Sequence, residues 1–338
     1  MQIFNKRTEI DFLGKRIPPM IISGILVVTT IFLLATRGLN FGLDFTGGTL
    51  LELSYEEAAD IAAVRSELEK GGITDAVVQH FGTTRDVLVR LPVKQGGDTA
   101  ETSNRVIGLL RTSVGENLAE GRLGQKDNTQ MCRGLANAER ACHIQVRRVE
   151  FVGPQIGDEL VDKGGQALIF TLIAILFYVM FRFEWRFSIG AVVAVAHDVL
   201  LTFGFFSLTQ VEFDLTVLAA LLAVLGYSLN DTIVVFDRIR ENFHTLRKGM
   251  VIDIMNRSIN DTLARTVITS GTTLLALTSL FVFGGEIIHG FSIALIVGVI
   301  VGTYSSIYIA TPSVLALGLT REDMIPPKEE AAAADELP

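Results

Sequence analysis

The sequence has little of what builds a catalytic or metal centre. Two cysteines, five histidines and one tryptophan are spread over 338 residues. Both cysteines, Cys132 and Cys142, lie in one polar segment with only His143 beside them, short of the four ligands a structural zinc site takes. No G-x-S-x-G, H-E-x-x-H or G-x-x-x-x-G-K-[ST] string occurs. A nucleophile elbow, a zinc-protease helix and a nucleotide-binding loop are therefore missing, and the chain is expected to be neither an enzyme nor a cofactor protein. Basic residues are outnumbered, 29 Lys and Arg against 37 Asp and Glu. That balance offers no footprint for nucleic acid, which wants Lys and Arg clustered on one face.

Apolar residues are abundant instead: 49% of the chain is hydrophobic, with a mean hydropathy of +0.43. Crossing roughly 30 Å of hydrocarbon takes about 20 residues of helix. Six stretches meet that requirement, at residues 18–36, 166–183, 187–208, 215–236, 263–283 and 291–317. The first is read as an uncleaved anchor, because its apolar run is long and no A-x-A-like site follows it. Lys and Arg in short connections are retained on the cytoplasmic side. Lys6, Arg7, Lys15 and Arg16 precede the first span, Arg182 and Arg186 join the second and third, and Arg238, Arg240, Arg247, Lys248 and Arg257 fall between the fourth and fifth. The alternate connections lack both residue types, so both termini are expected inside and the long segment 37–165 outside.

The outside segment changes period. Alternating stretches at 49–55, 76–81, 86–91 and 144–152 read as strands, and 56–70 and 99–120 as helices. The order β-α-β-β-α-β is that of a ferredoxin-like unit. Residues 121–143 form a polar, Gly-rich insert with both cysteines, which either close a small loop through a disulfide, as an oxidising compartment permits, or stand as two free thiols. Segments 1–17, 237–262 and 318–338 are read as a cytoplasmic lead, a surface loop and a solvated tail. Gly284, Gly285, Glu286 and His289 form an external turn with no assigned chemistry.

Ionisable residues inside a span are functional candidates by default. Asp198, beside His197, lies about midway along the third span, and Asp231, beside Asn230, lies in the cytoplasmic half of the fourth. Arg265 sits just inside the fifth, at a depth comparable to Asp231 if the two antiparallel helices pack. Desolvation and a neighbouring cation act oppositely on the proton affinity of an acid. Moving Arg265 or water would thus switch Asp231 between holding and releasing a proton. Tyr227 and Ser228 share its helix face and are expected to bond to it, and Thr269, Ser270, Thr272 and Thr273 add hydroxyls along the fifth span. The alternative for all of these is that buried hydrogen bonds merely hold helices together. Gly298, Gly302 and Ser306 make a small-residue stripe suited to a close helix approach, within the chain or towards another subunit.

Several strings in order resemble the SecF branch of the SecD/SecF protein-export family within the RND superfamily. They are Gly42-Leu-Asp-Phe-Thr-Gly-Gly-Thr49, Phe151-Val-Gly-Pro154, Phe181-Arg-Phe-Glu-Trp-Arg186, Ala196-His-Asp198, the run from Gly226 to Asn242, and Ile268-Thr-Ser-Gly-Thr-Thr273. The resemblance implies a bacterial inner-membrane subunit paired with SecD, associated with the SecYEG channel and with YajC and YidC, that spends the proton-motive force on late translocation of preproteins. It implies that Asp231 and Arg265 are the coupling pair, that Asp198 belongs to a family string whose role in conduction stays open, and that the six helices are half of an RND-type bundle. The rival readings are an RND-type exporter of small molecules or lipids and a scaffold that conducts no ion. The coupling ion, proton or sodium, stays open.

Overall fold

The computed structural model describes residues 8–92, 99–123, 130–133, 139–246, 249–285 and 288–324. Lys6, Arg7, Arg247, Lys248, Glu286 and the tail from 325 onward lie outside these residues. The elements run α1 (Ile17–Thr36), a single turn α2 (Leu43–Thr46), β1 (Gly48–Tyr55), α3 (Ile61–Lys70), β2 (Val77–Phe81), β3 (Thr83–Leu91), α4 (Thr99–Ser113), β4 (Asn117–Leu123), β5 (Gln130–Arg133), β6 (Glu139–Ala141) and β7 (Ile144–Val152). Long helices follow: α5 (Pro154–Arg182), α6 (Trp185–Thr209), α7 (Leu215–Thr245), α8 (Val251–Phe283) and α9 (His289–Ser305), then a π turn (Ser306–Ala310) and α10 (Thr311–Ala316). Two compact units result, one of them Phe41–Lys163 and the other built from the flanking chain.

In the first unit β1, β2, β3 and β7 form an antiparallel sheet in the order β2-β3-β1-β7. Leu51, Leu53, Val87, Val89 and Ile144 alternate onto one face, where Val64 and Leu68 of α3 and Val106 and Leu110 of α4 cover them. This is the ferredoxin-like arrangement that the strand and helix order predicts. Asp60 starts α3 by accepting hydrogen bonds from the backbone N–H of Ala62 and Ala63, a cap for otherwise unpaired donors. The glycine pair at the start of β1 has a steric cause. Gly47 and Gly48 adopt φ of +67° and +139°, and a Cβ on Gly48 would sit 2.4 Å from the carbonyl oxygen of Leu91, a conformation and an approach open only to glycine.

The segment read as an irregular insert is ordered where it is described. The helix expected over 99–120 stops at Ser113, and β4, β5 and β6 make a second, three-stranded antiparallel sheet. Cys132 and Cys142 are joined by a disulfide, both buried. Buried polar groups fix this sheet. Arg111 donates to the carbonyl of Ile144 and to Gln130, while Glu116 accepts from Arg140 and from the backbone N–H of His143. Sequence reading missed the sheet because its strands are short and polar and its order comes from these side chains rather than from a hydrophobic period.

In the second unit six helices, α1, α5, α6, α7, α8 and α9 with its continuation, are long and apolar enough to cross a membrane. They outrun the apolar stretches: α5 starts at Pro154 instead of 166, and α7 and α8 leave only residues 246–250 between them, so most of the expected 237–262 loop is helical. An apolar run marks where a helix meets lipid, not where its hydrogen bonds end. Asp214 caps α7 through the backbone N–H of Val217. Residues 8–16 before α1 are packed: Asn256 and Asn260 of α8 accept from the backbone of Phe12 and Ile10, and Phe12 and Leu13 are buried. Phe183, Phe187 and Phe236 form an edge-to-face cluster in the core. Arg238 bonds Asp261 of α8 at 2.8 Å and Glu241 of its own helix at 2.8 Å.

Candidate functional site

α6, α7 and α9 make the buried centre of the helical unit. α9 reaches α7 along its small-residue stripe, where a Cβ on Gly298 would lie 2.2 Å from Val224 and one on Gly302 3.0 Å from Ser228. The stripe is therefore internal packing, the first of the two readings it allowed. Close approach brings polar side chains on the two helices within bonding distance of carboxylates.

Asp198 on α6 is fully buried. Its Oδ2 accepts from Ser228 Oγ of α7 at 2.5 Å and from Ser305 Oγ of α9 at 2.7 Å, and its Oδ1 lies 3.0 Å from His197 Nδ1. Asp231 on α7 is 7% exposed. Its Oδ1 accepts from Thr266 Oγ1 of α8 at 2.7 Å and its Oδ2 from Ser306 Oγ at 2.8 Å. Two carboxylates on two helices thus share one neighbouring element, and consecutive residues of that element, Ser305 and Ser306, hold one each. Side chains of adjacent residues point about 100° apart on a helix, which is what lets one backbone serve both acids. The π turn opens at Ser306. Pro312 explains its place: proline has no N–H for the carbonyl four residues earlier and its ring crowds that carbonyl, so the backbone widens ahead of it.

The structure places several of the expected residues on other partners. Ser228, expected to bond Asp231, bonds Asp198 instead, and Tyr227 donates to Ser270 at 3.4 Å. Asn230 is exposed on the outer face of α7. Arg265 is exposed as well, and no hydrogen bond or ion pair joins it to Asp231 among the described residues. Any influence of its charge on Asp231 is therefore exerted through space. The helix rotation is the cause: Thr266, one residue on, takes the inward direction that the pairing would have needed. Thr269 and Thr272 bond back to their own helix carbonyls. Thr266 and Ser305 were missed by sequence reasoning. Ser306 was legible only as the end of the Gly298-Gly302 stripe, and that spacing was the available signal for a polar group facing α7.

Each acid is therefore hydrogen-bonded by hydroxyls and lacks an arginine or lysine partner among the described residues. A hydroxyl bond between membrane helices contributes about 0.6–2 kcal/mol, whereas removing an ion from water costs several kcal/mol even after relaxation. These hydroxyls therefore offset the cost of burying each acid only in part. Among the described residues, no cluster in the helical unit has the donors of a metal site. Glu116, Cys132 and Cys142 of the other unit lie close together, but both sulfurs are consumed in the disulfide.

Comparison with known proteins places this arrangement. Residues 134–320 match the model of the C-terminal region of the protein export membrane proteins SecD and SecF, and residues 32–59 match the SecD/SecF GG motif, whose glycines are Gly47 and Gly48. The protein translocase subunit SecF of Vibrio alginolyticus is 46% identical over 100% of this chain and 99% of its own length. That of Pseudomonas aeruginosa is 47% identical over 96% and 97%. Among solved structures, SecDF of Thermus thermophilus, described as a translocon-associated membrane protein, superposes with a TM-score of 0.74 at 35% identity, covering 94% of this chain and 39% of the SecDF chain. A second SecDF structure, in a super-membrane-facing form, gives 0.65 at 34% identity and covers 41% of that chain. The chain spans about two-fifths of these solved proteins.

Proposed function

The chain belongs to the SecD/SecF family of protein-export membrane proteins, and from that premise we propose that it is the SecF-type subunit of a SecDF complex that uses the proton-motive force in late preprotein translocation. The observation that carries the coupling role is Asp231: an acid buried mid-bundle, held by Thr266 and Ser306 from two different elements. Binding or loss of a proton there changes hydrogen bonds to both elements at once, which ties protonation to helix packing. Arg265 is the electrostatic regulator of that acid, not its salt-bridge partner.

The reading includes a bacterial inner membrane, both termini in the cytoplasm and the Phe41–Lys163 unit in the periplasm, supported by the Lys and Arg of the short connections and by the disulfide, which an oxidising compartment sustains. It includes SecD as partner, supported by the solved SecDF chains of which this chain matches two-fifths, with SecYEG, YajC and YidC as further associates. The role is energy coupling without catalysis of a covalent step. Asp231→Asn in the assembled complex is expected to abolish proton-dependent export while leaving assembly with SecD intact. Normal preprotein export by that variant would overturn the coupling role and leave a scaffold. Ion flux through the purified complex, measured against pH and sodium, identifies the ion.

A further inference from the structure

The coupling role employs Asp231 and leaves the second buried acid without a task. The surroundings of Asp198 are built for one. His197 is 7% exposed, its Nδ1 lies 3.0 Å from Asp198 Oδ1, and its Nε2 is buried with no hydrogen-bond partner among the described residues. Ser228 and Ser305 supply two hydroxyl protons to Asp198 Oδ2. With Nδ1–H donating to Oδ1, the carboxylate is satisfied as an anion on both oxygens, and the bond at Nδ1 sets the tautomer that leaves a lone pair on Nε2. An incoming proton has that lone pair open to it.

We propose that His197 and Asp198 form a second proton site of the helical bundle, with Nε2 of His197 as the accepting atom, coupled to Asp231 across Ser305 and Ser306. Uptake converts neutral imidazole and carboxylate into imidazolium and carboxylate, so one H⁺ enters, no other bond is broken, and the pair passes from one net negative charge to none. The groups that face the pair are few. Asp231 lies one turn beyond Ser228 on α7, Tyr304 of α9 places its ring 6.4 Å from that of His197, and the ring of Tyr308 of the π turn lies tilted against Tyr304 at 5.2 Å. Tyr304 donates to the carbonyl of Pro19. α1 and α10 contain no charged residue, and Arg265 of α8 acts on Asp231. Asp231 is thus the nearest formal charge on the packed elements apart from the pair itself. Two buried acids in one network titrate as a coupled set: an empty, anionic Asp231 strengthens proton binding at His197, and a filled one weakens it.

This inference rests on the reading of Asp231 as a proton-exchanging group, and its test is separate from export. The five histidines are His80, His143, His197, His244 and His289. Replacing the other four by Gln leaves His197 as the single imidazole. Nitrogen-15 NMR of that full-length chain, assembled with its partner in lipid nanodiscs, reads its protonation directly. His197 Nε2 is expected to gain a proton between about pH 8 and about pH 5, the range open to histidine. Asp231→Asn should lower the midpoint by about half a pH unit or more, a roughly threefold loss of proton affinity. An imidazole in one protonation state throughout, or a midpoint indifferent to Asp231→Asn, overturns the site. If the fourfold variant does not assemble, the same titration on the native chain, with the His197 signal identified by its loss in His197→Gln, gives the same two outcomes. Export that survives Asp231→Asn beside a titrating His197 removes the coupling role and keeps this site, whereas lost export beside a silent His197 does the reverse.

Discussion

Ser305 and Ser306 are neighbours in the chain and bond different acids, so their substitutions should separate the two sites. Ser306→Ala removes a donor from Asp231, and Ser305→Ala removes one from Asp198. A buried interhelical hydrogen bond of this kind is worth about 0.6–2 kcal/mol. Each variant should therefore stay assembled and lose that much stability, read by thermal unfolding in detergent. Ser306→Ala should reduce proton-dependent export more than Ser305→Ala does. The acids were legible in the sequence because a charge within an apolar run stands out. The hydroxyls were not, since serine and threonine are common in transmembrane helices and only rotation about each helix axis decides which of them face inward. Tyr55 offers a residue-scale prediction outside the membrane. Burial pushes its phenol up to about 12. A raised value stabilises the fold fully below the ordinary tyrosine range and loses that contribution as pH climbs through the shifted one. The unit carrying β1 should lose stability between about pH 10 and about pH 12, and Tyr55→Phe should flatten that part of the curve in a circular-dichroism titration.

At the scale of elements, the π turn and the disulfide-bearing sheet carry the informative tests. Pro312→Ala restores the missing N–H and permits an ordinary helix through residues 306–310. Closing the turn rotates Ser306 relative to Ser305, and export should fall while the helical content seen by circular dichroism is unchanged. Gly298→Val would drive a side chain into Val224 and should separate α9 from α7, with poor accumulation of the complex as the readout. In the other unit, replacing Cys132 and Cys142 by Ser removes a cross-link worth about 2–4 kcal/mol. Hydrogen exchange should quicken in β4, β5 and β6 and leave the β2-β3-β1-β7 sheet protected, because the buried core of that sheet stands apart from the cysteines. Global exchange of both sheets would mean that the small sheet is part of one folding unit.

At the scale of the whole molecule, the outer faces of α7 and α8 carry a polar and small-residue stripe. Gly226, Asn230, Arg265, Thr269 and Thr272 are exposed there, while α1 and α5 expose mainly apolar side chains such as Ile21, Ile25, Phe170 and Phe177. Apolar faces suit lipid. An arginine and an amide on the outer face of membrane helices need protein or water against them, so the stripe is where the SecD partner is expected to lie. Cysteine placed at Thr269 should cross-link to SecD in membranes, and cysteine at Phe170 should not. Arg265→Met should block export without preventing assembly, since its effect on Asp231 is exerted through space. Normal growth of a SecF-depleted strain carrying Arg265→Met would count against that role.

Composition and hydrophobic period were enough to settle that the chain has six membrane-length helices with an α/β domain between the first and second, because transfer from water to lipid is proportional to apolar content and needs no partner. They also marked Asp198 and Asp231, whose cost in an apolar run is visible residue by residue. Which hydroxyl serves which acid, the outward turn of Arg265, the small three-stranded sheet and the internal use of the Gly298-Gly302 stripe were decided by packing. Each depends on the rotation and mutual approach of elements far apart in the chain, and a helix rotated by a single residue moves a side chain by about 100°.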